Sequence, residues 1–222
     1  VADIFSVFAN QNKKAGHRGV TAIAVETGTP GFTINPQRGK MGMKGCATAE
    51  LVFDNCRVPV ENRLGQEGEG YKLALQILDS SRIMIAAQCL GLAKGALTAA
   101  ITYSKGRITF GKPIATRQAI QFSLADMATE LDAARLLTYR AASLYDEGLP
   151  HGKESAMAKL YASEAAGRIA SKSLQIHGGV GYFKPSSIER IYRDQRVTEI
   201  YEGTSEIQRL VISRALLSNL IE

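Results

Sequence analysis

The sequence predicts an α+β fold class, with a partial antiparallel β-domain followed by an antiparallel four-helix bundle. Short runs of β-branched and aromatic residues, broken by glycine and proline, occupy the first sixty positions. From Tyr71 onward, apolar and small residues recur at intervals of three, four and seven over long stretches, which is typical of packed helices. We therefore divide the chain into a β-part at 1–60, a linker at 61–70 and a helical part at 71–222.

The β-part contains three candidate strands. The strongest is the run from Val20 to Val25, which ends at the turn-forming residues Gly28, Pro30 and Gly31. The others lie around residues 4–8 and 51–58. The glycine-rich basic stretch at 38–45 lacks the spacing of a phosphate-binding loop, so we interpret it as a connection. Three or four strands cannot close a barrel, and the chain does not begin with Met, so we expect further β-structure upstream.

The spacing of apolar and small residues in 71–222 predicts five helices. Their approximate ranges are 71–105, 118–146, 154–176, 187–192 and 206–219. The spacing of Ser205 and Gln208 predicts a capping box at the start of the last helix, and Ser186 with Glu189 predicts another.

Composition restricts the possible partners. The formal net charge of +6 suits an anionic partner such as a nucleotide cofactor, an acyl carrier or an acidic protein. The basic residues are scattered, and the densest group, at 13–18, reads as a solvated loop, so no nucleic-acid partner is expected. The three cysteines lack metal-ligand spacing and are interpreted as reduced thiols, with no metal site. We identify no apolar run long enough to span a membrane.

The stretch from Tyr201 to Arg209 is the densest in reactive groups. Glu202 precedes a glycine, and Thr204 and Ser205 supply hydroxyls at a helix start, where free N–H groups favour anions. Its chemistry permits a general base beside an anion site, or only a helix cap with solvated acids. Three carboxylates compete for the role of base, and physical chemistry does not choose among Glu199, Glu202 and Glu206.

Three other segments have compositions that packing does not require. They are residues 79–82 within the first helix, 107–113 after it, and 175–179 at the end of the third helix. In a bundle, such ends can converge on one site, and a nucleotide needs cations, N–H donors and close backbone approach. Each segment also has an ordinary interpretation: Arg107 as a surface cation, the glycine pair as a helix stop, and His177 as a packed histidine.

At these residues the chain resembles the acyl-CoA dehydrogenase family, from end to end. The matching segments are Arg107 to Ile114 followed by Gln118, Gln175 to Tyr182, Arg193-Asp194, and Ile200 to Gln208. The resemblance implies the second half of a middle β-domain plus the whole C-terminal bundle. The N-terminal helical domain and the start of the β-domain, with the family's T-E-P and W-I-T-N stretches, are expected upstream of Val1.

The resemblance also implies residue roles. Glu202 matches the base that removes the α-proton of the acyl thioester. Contacts to FAD are implied for Arg107, Phe110, Gln118, Gln175, Ile176, His177, Gly178, Gly179, Thr204, Ser205 and Glu206. Of these, Arg107, Gln118 and Gln175 through Gly179 are implied to contact the FAD of a neighbouring subunit. Contacts to the acyl-CoA substrate are implied for Asp79, Ser80, Ser81, Arg82 and Gly203. Some family members carry the base at the position of Ser81, which is no carboxylate here, so Glu202 fits a short-, medium- or short-branched-chain type.

The implied reaction is α,β-dehydrogenation of an acyl-CoA to the trans-2-enoyl-CoA. The implied partners are an electron-transferring flavoprotein and further copies of the chain in a homotetramer, in a bacterial cytoplasm or a mitochondrial matrix. Two alternatives share the fold: an oxidase that passes electrons to oxygen, and a non-catalytic assembly scaffold, against which the intact Glu202-Gly203-Thr204 argues.

Overall fold

The computed structural model describes residues 2–218 and divides them into two compact units. The first unit contains residues 2–40 and 44–78, and the second contains 41–43 and 79–218. The predicted α+β class, with antiparallel strands followed by a helical bundle, is confirmed.

The first unit is built from two small antiparallel sheets. Strands β1 (Ile4–Asn10) and β2 (Val20–Glu26) pair with Phe5 opposite Val25. Strands β3 (Phe32–Pro36) and β4 (Ala49–Phe53) form the second sheet. Phe32 stacks on Phe53 with ring centroids 4.8 Å apart and meets Phe5 edge-on at 5.2 Å, so aromatic contacts join the two sheets.

Three details of this unit differ from the sequence predictions. Strand β3 was not predicted, and Val58 lies outside the strand in which it was expected. The stretch predicted as a linker at 61–70 contains a short strand, β5 (Arg63–Leu64), which pairs with β2. The domain boundaries themselves stay a prediction. The basic segment at 13–18 forms exposed 3-10 turns, as a solvated loop would.

The second unit is helical. Helix α1 (Gly70–Gly106) contributes its residues from Asp79 onward, and the hairpin strands β6 (Ile108–Thr109) and β7 (Lys112–Pro113) follow. The chain continues with α2 (Gln118–Asp146), α3 (Gly152–His177), α4 (Gly179–Tyr182), α5 (Ser187–Gln195), a 3-10 turn at Arg196–Glu199 and α6 (Ser205–Leu217). The predicted helix end at Asn219 lies outside the described residues.

Small side chains dominate the core of the bundle. Helices α1, α2, α3 and α5 bury one continuous cluster, with α3 contributing several alanines because alanine lets helix backbones approach closely. Its larger members are Met127, Leu131, Ile169, Ile176 and Ile188. These buried positions form one interior shared by the long helices.

Both predicted capping boxes were wrong. Thr204, not Ser205, is the N-cap of α6, and its Oγ1 accepts a hydrogen bond from the N–H of Ile207 at 3.4 Å. Gln208 turns back to the preceding carbonyls instead of capping a helix. Ser186 occupies the N-cap position of α5, but its hydroxyl makes no capping bond.

One helix meets the length and composition expected of a membrane span, contrary to the sequence prediction. Among residues 2–218, only α1 does so, and a third of its most apolar window is buried in the protein. Length and composition are weak grounds for a span, because a core helix of a bundle passes the same test. The face of α1 that carries Ala86, Cys89 and Ala93 belongs to the bundle core.

Candidate active site

The turn between Glu199 and α6 has an unusual backbone. Glu202 has a φ of +55° and Gly203 a φ of +89°, so two successive residues adopt the left-handed conformation. Glycine accepts that conformation freely, whereas a glutamate in it is strained. A Cβ atom on residue 203 would also lie 2.7 Å from Nε2 of Gln208, so only glycine fits there. The turn therefore depends on its surroundings to hold its shape.

The side chain of Glu202 faces helix α1. Its Oε2 accepts a hydrogen bond from the Ser81 hydroxyl at 2.5 Å, and the residue is half-buried. A carboxylate in this position keeps a second oxygen for another partner. Ser81, expected at the substrate contact, is therefore in direct contact with the expected base.

The two competing carboxylates have different surroundings. Glu199 forms an ion pair with Arg196 at 2.6 Å. Glu206 is exposed, and hydrogen bonds from its own backbone N–H and from the Thr204 hydroxyl lower the pKa of its carboxyl. Of the three, Glu202 is the one held against the long helix by a neutral donor. The geometry thus separates carboxylates that the sequence left equivalent.

Two buried side chains, Gln208 and Lys159, donate hydrogen bonds to the carbonyl groups of Glu202 and Gly203. Nε2 of Gln208 donates to the oxygen of Glu202 at 3.1 Å and to that of Gly203 at 2.8 Å. Nζ of Lys159, on α3, donates to the same Gly203 oxygen at 2.7 Å. Burial and the nearby Arg82 lower the pKa of Lys159. Neither role is signalled by the sequence pattern around Lys159 or Gln208.

Tyr201 attaches the turn to α1 at a second point. Its hydroxyl donates to Oε1 of Gln88 at 2.6 Å, and Nε2 of Gln88 lies 3.6 Å from the sulfur of Met43. Ser81 and Gln88 are seven residues apart and therefore lie on the same face of α1. Tyr201 and Glu202 are thus aligned along that face.

The expected substrate segment at 79–82 lies beside this turn. Arg82 forms an ion pair with Asp79 at 2.7 Å and is 4% exposed. Its Nε has no hydrogen-bond partner within the described part of the chain. Asp79 also lies close to Gly152, the first residue of α3. The start of α3 is therefore next to the part of α1 that carries residues 79–82.

The residues of this chain that are expected to contact the FAD of a neighbouring subunit lie near the C-terminal ends of α1 and α3. Tyr103 stacks on His177 with ring centroids 4.5 Å apart, so the ends of α1 and α3 meet. Around them, the exposed residues are Arg107, Phe110, Gln118, Gln175, Gly178 and Gly179. Phe110 is 95% exposed with a φ of +47°, and the guanidinium of Arg117 lies 5.8 Å from its ring centroid.

Two of the residues expected to contact a neighbouring subunit's FAD, Ile176 and His177, face inward. The side chain of Ile176 belongs to the buried core, and Nδ1 of His177 is 2.7 Å from the Ser173 carbonyl oxygen. Two residues expected at the substrate and cofactor contacts near Glu202 are also covered. Ser80 is half-buried within α1. Ser205 is also buried, and its hydroxyl has no partner among residues 2–218. These side chains do not lie on the exposed surface with the others.

The two groups of expected site residues are far apart in one chain. Ser81 and Gly106, at the end of α1, are 25 residues apart, which corresponds to about 38 Å of helix axis. One chain therefore places the Glu202 turn and the Arg107 group near opposite ends of the Asp79–Gly106 part of α1.

Comparison with known proteins identifies the family. The family "Acyl-CoA dehydrogenase, C-terminal domain" matches residues 68–217, and "Acyl-CoA dehydrogenase, middle domain" matches residues 1–56. The chain is 52% identical to the acryloyl-CoA reductase (NADH) of Anaerotignum propionicum, over 97% of this chain and 55% of that protein. It is 52% identical to the mitochondrial short-chain specific acyl-CoA dehydrogenase of Rattus norvegicus, over 95% of this chain and 51% of that protein.

A solved structure agrees with these matches. It is described as "Electron transferring flavoprotein of Acidaminococcus fermentans: Towards a mechanism of flavin-based electron bifurcation", and it superimposes with a TM-score of 0.96 at 49% identity, covering 97% of this chain and 57% of that one. The chain spans about half the length of the curated relatives it matches. The chain belongs to the acyl-CoA dehydrogenase family.

Proposed function

We propose that the protein containing this chain is an FAD-dependent acyl-CoA dehydrogenase in which Glu202 removes the α-proton of the thioester. The observation that carries the proposal is the carboxylate of Glu202, half-buried in a left-handed turn and hydrogen-bonded to Ser81 at 2.5 Å. A general base needs a fixed position and a free oxygen within reach of the proton that it takes. Glu199 is paired with Arg196, and Glu206 is exposed, so Glu202 fits best.

The reaction also requires stabilisation of the negative charge that develops on the thioester oxygen. Backbone N–H groups in a rigid turn can supply it, as in other oxyanion sites. The N–H of Glu202 is the donor that the family resemblance implies, and Gly203 is the implied contact to the thioester region. Bound FAD would supply the acceptor for the β-hydride.

The residues present fit FAD only as a shared cofactor. Phe110 is exposed in a strained backbone with the guanidinium of Arg117 5.8 Å from its ring centroid, and an exposed aromatic beside a cation suits a nucleotide surface. Arg107 is exposed at the same end of the bundle. Thr204, Ser205 and Glu206 lie by the turn, about 38 Å of helix away. We therefore propose that FAD lies between two subunits, one providing the Glu202 turn and the other the Arg107 group. This arrangement supports a homo-oligomer, for which we propose a dimer of dimers.

The substrate is proposed to be a short acyl-CoA. The rat relative named above carries the words "short-chain specific". The partner is proposed to be an electron-transferring flavoprotein, which the description of the similar structure names. Because the relatives include bacterial and mitochondrial proteins, we propose a bacterial cytoplasm or a mitochondrial matrix as the compartment.

A second candidate function is reduction of a short enoyl-CoA, the reverse of the same chemistry. The relative from Anaerotignum propionicum, at 52% identity, is named an acryloyl-CoA reductase (NADH). In that direction Glu202 would return a proton to the α-carbon instead of removing it. The same base therefore serves both candidates, and the electron partner decides the direction.

An anaerobic titration of the full-length, flavin-loaded protein with straight and branched acyl-CoAs tests the proposal. We expect one short chain length to bleach the visible flavin band. Glu202→Gln should bind flavin and ligand but reduce flavin about 10²- to 10⁴-fold more slowly, the usual contribution of a general base. Glu199→Gln, the same change three residues away, should stay within about 3-fold of native, since its carboxylate is paired with Arg196.

The opposite results are informative. Equal rates in Glu202→Gln and native protein would overturn the assignment of the base. A flavin band that no acyl-CoA bleaches would favour the non-catalytic scaffold. Peroxide release under air would identify an oxidase, and bleaching by NADH followed by recovery with an enoyl-CoA would favour the reductase.

A further inference from the structure

Among residues 2–218, Lys159 is the largest side chain that is fully buried, and the proposed proton transfer does not use it. It lies in the middle of α3, between the buried residues Ala158 and Ala162. An ammonium group removed from water is destabilising unless it is paired or hydrogen-bonded. Its Nζ donates to the carbonyl oxygen of Gly203 at 2.7 Å. The buried cation is therefore directed at the turn that carries Glu202.

Gln208 directs a second buried donor at the same place. Its Nε2 lies 2.8 Å from the oxygen of Gly203 and 3.1 Å from that of Glu202. The side chain is fully buried, and its Oε1 has no partner within the described part of the chain. Three hydrogen bonds from two buried side chains thus converge on two successive carbonyl groups.

These bonds fix the direction of the amide groups in the turn. In a trans peptide, the C=O and the following N–H point in opposite directions. Holding the oxygen of Glu202 therefore directs the N–H of Gly203 away from Gln208, and holding the oxygen of Gly203 does the same for the N–H of Thr204. Because Glu202 is in a conformation that glutamate avoids, such bonds are needed to keep it there.

We propose that Lys159 is a positioning residue which, together with Gln208, clamps the carbonyls of Glu202 and Gly203 and so fixes the strained backbone from which the carboxylate of Glu202 projects. The kinetic part of this inference rests on the proposed function. The structural part, that the clamp holds the turn, does not. The two parts can therefore be measured separately.

The structural part is tested by hydrogen–deuterium exchange of the full-length protein. Lys159→Met keeps a long unbranched side chain but removes the donors. The amides of residues 201 and 208, which bond to the carbonyl oxygens of Val197 and Thr204 on either side of the clamped residues, should exchange about 10- to 100-fold faster, the equivalent of losing one charge-assisted hydrogen bond. The control is Met127→Ala, which destabilises the core of α2 without touching the turn. Exchange of the amides of residues 201 and 208 that is no faster than in this control would overturn the proposal.

The kinetic part is tested by single-turnover flavin reduction. Lys159→Met should slow reduction about 10- to 100-fold, while the dissociation constant of the acyl-CoA changes by less than about 3-fold. The double variant Lys159→Met/Gln208→Met should be slowed less than the product of the single effects, because both residues hold one turn. Multiplicative effects would mean that Lys159 acts elsewhere and would overturn the proposal.

A second variant covers a failure to fold. If Lys159→Met does not fold, Gln208→Met alone must accelerate exchange of the amides of residues 201 and 208, and amides that stay protected in it would overturn the clamp. The outcome for the function is distinct, because full activity in Glu202→Gln would reject the base but would leave the exchange result unchanged.

Discussion

Cys89 illustrates how the bundle interior changes the chemistry of a single residue. Burial raises the pKa of its thiol to about 11, against a smaller opposing effect from the Thr198 hydroxyl. At pH 8, only about one Cys89 in a thousand is then a thiolate, the reactive form. Cys46 is exposed, and Cys56 is half-buried. We expect iodoacetamide at pH 8 to label Cys46 first and Cys89 last, as measured by peptide mass spectrometry.

The pH dependence of labelling checks the cause. Because burial raises the pKa of the Cys89 thiol from the ordinary value of 9.0 to about 11, its labelling rate should keep rising up to about pH 11. Denaturant should abolish the difference in labelling between Cys89 and Cys46. Labelling of Cys89 at the rate of Cys46 in the folded protein would contradict the buried position.

At the same scale, the sequence could identify site residues only through the family resemblance. Glu199, Glu202 and Glu206 look alike as letters, and they separate only when Arg196, Ser81 and the N–H of Glu206 are placed beside them. Lys159 gave no signal, because a lysine between small helical residues is usually solvated. Its burial depends on how α3 packs, which spacing along one helix does not show.

Among the elements, the turn before α6 is the most sensitive to substitution. Gly203→Ala would place a methyl group 2.7 Å from Nε2 of Gln208 in a left-handed backbone. We expect a loss of about 1–3 kcal/mol in the free energy of unfolding, together with slower flavin reduction, from strain and the displaced amide. Chemical denaturation and single-turnover kinetics would measure the two effects.

The end of α2 offers a matched control. Gly148 has a φ of +68°, but a Cβ there would meet no atom within 4 Å. Gly148→Ala therefore carries the backbone strain without the clash, and it should leave flavin reduction unchanged. If the two alanine variants behaved alike, the contact with Gln208 would not matter.

Helix positions could be predicted better than helix ends. The 3.6-residue pattern predicted α2 at the bounds found, 118–146, because its buried positions are regular and a glycine follows closely. The capping box at Ser205 failed because the amide of Gln208 has a competing pair of acceptors in the preceding turn. Short pairings such as β5 with β2 were missed because two residues carry no pattern.

At the scale of the whole molecule, the separation of the two site groups determines how many subunits a site needs. Helix α1 places about 38 Å between Ser81 and its own end. The sequence order alone does not show this, because Arg107 and Glu202 would lie near each other if the helices were shorter. In the proposed enzyme, each site combines Glu202 of one subunit with Arg107 of another.

This arrangement predicts complementation between two defective subunits of the full-length protein. Glu202→Gln lacks the base, and Arg107→Ala is expected to lose flavin from the site that it serves. In a mixed pair, one site is doubly defective, and the other combines an intact Glu202 with an intact Arg107. Random mixing makes half of the pairs mixed, so activity should return to about a quarter of native.

Mixing Glu202→Gln with the double variant Glu202→Gln/Arg107→Ala should restore nothing. If both residues served a site within one subunit, the first mixture would show only the average of its two inactive parents.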